Sequence, residues 1–153
     1  MKKSTDYLKE GSIDRKWHVI DAQDKILGRI ASKAAVLLMG KEKTTFTPHI
    51  DNGDFVIIVN AAKFIVTGKK MTDKKYYRHS GYPGGLKERS LREMLEKKPE
   101  DIIRLAVKRM LPKNKMSSRR IIRLKIYLNS EHNHTAQKPI NVTICEKNEK
   151  EIV

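Results

Sequence analysis

The chain has 153 residues, enough for one domain with its own core, and 39% of them are hydrophobic. It carries 33 Lys plus Arg against 18 Asp plus Glu, a net charge of +15 that points to a polyanionic partner. Its one cysteine, Cys145, excludes an internal disulfide framework or a four-thiolate site, and no apolar run approaches the ~20 residues of a membrane helix.

The charge is uneven. Residues 1–66 are net +3, residues 67–139 carry 20 basic and 7 acidic side chains for a net +13, and residues 140–153 are net −1. The binding surface is therefore expected in the middle and later parts of a single domain spanning 1–153. Met1-Lys2-Lys3 is followed by polar residues with no apolar segment of the kind a secretion signal needs. The expectation is a cytoplasmic protein with no membrane contact. Residues 1–14 lack periodicity and read as a peripheral arm, leaving a core from about 15 to 139.

Trp17-His18-Val19-Ile20 is rich in strand formers and ends at Asp21. Leu27, Ile30, Ala31, Ala34, Leu37 and Leu38 then recur at helical spacing, and Gly40 is placed to stop the helix. Phe55-Val56-Ile57-Ile58-Val59 is apolar at every position, as in a strand of a parallel sheet covered on both faces. Residues 17–59 thus predict a βαβ unit. Phe64-Ile65-Val66-Thr67 predicts a further short strand, ended by Gly68.

Residues 68–85 interleave basic, aromatic and glycine residues. Lys69, Lys70, Lys74, Lys75 and Arg78 suit phosphates. Tyr76, Tyr77, His79 and Tyr82 suit stacking or hydrogen bonding with bases and riboses. Ser90 with Glu93 three residues on is a capping-box pattern, and Pro99 both limits that helix and opens the next. In the second helix Glu100 and Asp101 sit in the first turn and Lys108 and Arg109 in the last, as the helix dipole favours. Ile103, Ala106, Val107, Met110 and Leu111 make its buried stripe, and Pro112 ends it.

From Ile102 to Ser130 there is no Asp and no Glu. Within this stretch Lys113 to Arg120 is expected to be a loop with too few apolar residues to be buried. Lys108, Arg109, Lys113, Lys115, Arg119, Arg120 and Arg123 are its candidate RNA contacts. Leu124–Leu128 predicts the last strand. The polar segment 129–139 adds His132, His134 and Lys138 as candidates, and residues 140–153 read as a peripheral tail.

Other chemistry is weaker. Gly40-Lys41 and Gly68-Lys69 lack the spacing of a phosphate-cradling loop. His132-Asn133-His134 spells a nuclease motif, but no spaced acidic or cysteine ligand supports it. An RNA-processing enzyme using His132 and His134 is the alternative class, tested by metal-dependent RNA turnover. Asp51 and Asp54, and Glu100 and Asp101, have local explanations in turns and helix N-terminal charge.

Several segments occur together and in order. They are Trp17-His18-Val19-Ile20-Asp21-Ala22, Leu27-Gly28-Arg29, Thr47-Pro48-His49-Ile50-Asp51-Asn52-Gly53-Asp54, and Val66-Thr67-Gly68-Lys69-Lys70. Tyr76-Tyr77-Arg78-His79-Ser80-Gly81, Val107-Lys108-Arg109-Met110-Leu111-Pro112-Lys113-Asn114 and Glu131-His132-Asn133-His134-Thr135-Ala136-Gln137-Lys138-Pro139 follow. This set, from Trp17 to Pro139, resembles the bacterial-type large-subunit ribosomal proteins of the L-thirteen family. The resemblance implies a three-layer α/β/α domain with a small, mainly parallel sheet of about four strands. It implies binding to large-subunit ribosomal RNA beside neighbouring ribosomal proteins, a part in early subunit assembly, no catalytic activity, no cofactor and no small-molecule substrate. Arg109 stands where the family pattern commonly has glycine, and the loop from Asn114 is less glycine-rich than the pattern.

Overall fold

Strand β1 (Trp17–Asp21) leads through helix α1 (Leu27–Met39) into β2 (Phe55–Val59), which pairs parallel to β1 in the register Trp17↔Phe55 to Asp21↔Val59. This is the expected βαβ unit. The computed structural model describes residues 13–144. The N-terminal arm up to residue 12, the tail from 145 and Cys145 lie outside the described residues. α1 ends on Gly40 in the left-handed conformation (φ 74°), whose N–H donates to the Leu37 carbonyl.

The chain continues through a one-turn helix α2 (Lys70–Asp73), a hairpin β3 (Lys75–His79) and β4 (Leu86–Ser90), helices α3 (Leu91–Lys97), α4 (Pro99–Met110) and α5 (Lys115–Ile122), then β5 (Leu124–Ile126) and β6 (Ile140–Asn141). The main sheet has the order β5-β2-β1-β6 and is parallel throughout. β3 and β4 form a separate antiparallel pair. The α/β class and the small parallel sheet agree with expectation.

The core lies between one face of this sheet and helices α1 and α4. Ile20, Val56, Ile58 and Leu124 from the strands meet Ile30, Ala31, Ala34 and Leu38 of α1 and Ile102, Ile103 and Val107 of α4. Each fully buried aliphatic side chain of this kind contributes about 1.5–3 kcal/mol. Alternation along the strands sends Trp17, Phe55 and Ile57 to the other face. There Trp17 stacks on Phe55 at 4.3 Å, and His134 from segment 129–139 lies 4.7 Å from the Trp17 ring.

Three local expectations differ from the structure, and the hairpin is an element the sequence reading did not assign. Phe64–Thr67 does not form a strand. Ile65 makes a single parallel bridge to Ile26, and its carbonyl accepts from the Leu27 N–H at 3.0 Å, anchoring the start of α1. Residues 75–90 pair as a hairpin because the glycine-rich turn reverses the chain, with Gly81 and Gly84 at φ 94° and 71°. The supposed loop from Lys113 becomes helix α5, started by Asn114, whose side-chain oxygen accepts from the Ser117 N–H at 3.1 Å. Ile140–Asn141, read as part of the tail, joins the sheet edge beside His18 and Val19.

Candidate nucleic-acid interface

The hairpin and α4 face each other across an open cleft of about 900 Å³. Local sequence sets both walls. Ser90 accepts from the Glu93 N–H at 3.3 Å, so α3 begins at the foot of β4, and Pro99 at the first position of α4 turns the chain back along the hairpin. Arg104 and Lys108, four residues apart, share one face of α4. The walls carry Arg78, Lys87, Arg89, Arg104, Lys108 and Arg109, all exposed. Among the described residues none of these six is ion-paired. Asp101 is the one carboxylate in the lining, and Met94, Leu105, Ile121 and Tyr76 give it a buried to half-buried apolar floor.

Aromatic rings lie among these cations. Tyr76 is held beneath the Arg109 guanidinium at 5.7 Å and near the Lys74 ammonium at 5.9 Å. Burial pushes the Tyr76 hydroxyl above its ordinary pKa, against the opposing pull of Arg109, so the ring stays a neutral donor. Tyr77 and Tyr82 are 59% and 77% exposed and present open faces. His79 lines the cleft, and its Nδ1 accepts from the Gly81 N–H at 2.9 Å.

The candidate residues therefore divide. Tyr76, Tyr77, Arg78, His79, Lys108 and Arg109 meet in the cleft. Lys70 and Lys74, with Tyr76 and Arg109, border a second, smaller cleft of about 300 Å³ behind the hairpin. Lys69, Lys75, Tyr82, Lys113, Lys115, Arg119 and Lys138 are exposed outside the lining of either, with Lys75 paired to Glu88 at 3.1 Å. Lys87, Arg89 and Arg104 are additional cleft cations absent from the candidate set. Their signals were the alternating basic positions of β4 and the four-residue spacing from Arg104 to Lys108.

Arg120 and Arg123 correct the sequence reading. They are only 2% and 7% exposed and point into the protein. Arg123 grips Asp51 with both terminal nitrogens, at 2.6 and 2.7 Å, and donates to the Leu38 carbonyl at 3.3 Å. Arg120 Nε donates to the same carboxylate at 3.3 Å. Burial alone would raise the Asp51 pKa, but the hydrogen bonds and charges of Arg123 and Arg120 prevail and hold it below 3.8. A short way along, Asp54 is bound by His18 Nε2 at 3.0 Å, Lys43 Nζ at 2.6 Å and the Lys16 N–H at 3.0 Å. Burial raises its pKa and these donors lower it further. Asp54 is thus a buried anchor and Asp51 a half-buried one, and neither is only a turn former.

His132 and His134 are drawn into the aromatic layer behind the sheet. His134 packs edge-on to Tyr127 at 6.0 Å, and its N–H donates to His132 Nδ1 at 3.2 Å. No group of three or more His, Cys, Asp or Glu side chains able to hold a metal converges among the described residues, and no described helix is long and apolar enough to cross a membrane.

The profile of a family described as Ribosomal protein L13 matches residues 15–133. The chain belongs to that family. Large ribosomal subunit protein uL13 of Thermotoga petrophila is 56% identical over 135 residues, covering 88% of this chain and 91% of the relative. The protein of the same description from Aquifex aeolicus is 58% identical over 132 residues, covering 86% and 92%. That from Chloroflexus aggregans is 57% identical over 135 residues, covering 88% and 94%. Within this Ribosomal protein L13 framework, Arg109 gains a role. In the last turn of α4 it covers Tyr76 and contributes charge to both clefts.

Proposed function

We propose that this chain is a structural constituent of a bacterial-type large ribosomal subunit, that it binds large-subunit rRNA, and that it takes part in early subunit assembly. The observation that carries the reading is the basic, aromatic-lined cleft on a member of the Ribosomal protein L13 family. Six cations without carboxylate partners are costly to leave together unless an anion neutralises them, and a phosphate backbone does this along its length. Fixed rings and guanidinium planes among them suit an RNA surface better than a diffuse anion. The parallel sheet and α1/α4 core act as the rigid mount. Neighbouring ribosomal proteins complete the setting, and the work is done by binding, with no reaction step.

Sedimentation tests this directly. The chain should travel with the large subunit through a sucrose gradient and leave it at high salt. If about six phosphates are neutralised, log affinity for an rRNA fragment should fall against log salt with a slope of roughly −4 to −5. A nearly flat salt dependence would refute the reading.

A further inference from the structure

We infer that the cleft between the β3–β4 hairpin and α4 seats an unpaired stretch of RNA, with a base on its floor and phosphates on its rim. The inference rests on the rRNA-binding reading and specifies which form of RNA this surface takes. A cleft of about 900 Å³ falls within the ~300–1,000 Å³ range of sites that enclose small-molecule-sized groups. A surface for duplex RNA alone needs no such recess. An A-form helix offers phosphates and 2′-hydroxyls outward and keeps its base faces stacked inside. It would meet the basic rim and leave the floor of Met94, Leu105 and Ile121 uncovered. An unpaired nucleotide has the complementary pair of surfaces, a flat apolar base and a charged phosphate.

The ring arrangement agrees. Tyr76 is fixed under Arg109, and Tyr77, next in sequence and open to solvent, also borders the cleft. Bases splayed out of a helix stack on such rings and on guanidinium planes. Asp101 gives the inference further definition. A lone carboxylate among the cations repels phosphate and accepts hydrogen bonds, so it suits a base edge or a 2′-hydroxyl.

The test uses the full chain and labelled RNAs at matched salt. A short single strand should bind about tenfold or more tightly than a blunt duplex of the same length. Arg104→Glu should weaken the single strand by about tenfold, whereas Lys63→Glu, the same charge change at an exposed turn away from the cleft, should alter it by less than about threefold. Strands carrying 4-thiouridine should photocrosslink to Tyr76, Tyr77 or His79. Equal affinity for duplex and single strand, equal effects of the two charge reversals, or crosslinks confined to other segments would overturn the inference. So would polyglutamate displacing the strand as well as unlabelled RNA does, since the cleft would then select charge and not bases. Co-sedimentation separates the two levels. A chain that travels with the large subunit but fails these tests keeps its ribosomal reading and loses this one, and a chain that does not travel loses both.

Discussion

Replacing Arg123 by alanine should damage the fold far more than it damages any RNA contact. The guanidinium makes two short hydrogen bonds to Asp51, at 2.6 and 2.7 Å, and a third to the Leu38 carbonyl at 3.3 Å. Its removal leaves a carboxylate with only 13% of its side chain exposed, held by Arg120 alone at 3.3 Å. Breaking a buried ion pair from one side costs about 3–5 kcal/mol, because the other charge remains without its partner. In a domain of this size each kcal/mol lowers the melting temperature by roughly 2–4 °C, so the expected loss is on the order of 10 °C. That is a large share of a total stability of about 5–15 kcal/mol. Thermal unfolding followed by circular dichroism checks it, with Arg119→Ala as the companion. Arg119 is exposed on α5, outside the lining of either cleft, and its loss should change stability by less than about 0.5 kcal/mol. Below its transition, Arg123→Ala should bind rRNA within about threefold of the original, since it keeps every cleft cation. An Arg123→Ala protein that melts within about 2 °C of the original but loses RNA affinity would refute this reasoning and return the arginine to the surface.

Acid should unfold the protein through the same anchors. Asp51 and Asp54 both have folded-state pKa values below the ordinary 3.8, so the unfolded chain takes up their protons first. Their contribution is fully present above pH 3.8 and is lost as pH falls through the lower folded values. Asp54→Asn should flatten this acid limb of the melting-temperature profile. Gly53→Ala should fail to fold properly or lose several degrees, because an added Cβ would lie 1.8 Å from the Leu38 carbonyl oxygen, and backbone cannot yield as a side chain can. Asn114→Ala should cost about 1 kcal/mol by uncapping α5, with Asn114→Asp retaining most of it. Urea titration of the two Asn114 variants checks that ranking.

Much of this protein is determined by short-range pattern. Helical spacing at Leu27–Leu38, the continuous apolar run Phe55–Val59, the Ser90–Glu93 cap and Pro99 each constrain the backbone locally, and each element appears where those signals lie. The net charge and the basic-aromatic run 68–85 likewise marked an exposed basic surface, because charge must be solvated or neutralised wherever the chain goes. The hairpin was less legible. Its strands Lys75–His79 and Leu86–Ser90 are mostly exposed and carry little apolar alternation, so pairing across the glycine turn leaves a faint trace. Tertiary structure alone decided which arginines stay at the surface and which are buried. Arg119, Arg120 and Arg123 stand in one acid-free stretch and look alike in sequence. The carboxylate that buries two of them comes from Asp51, 69 and 72 residues away. Helix α5 turns Arg120 inward and leaves Arg119 outside, and a lack of nearby acid in sequence says nothing about acid brought near by folding.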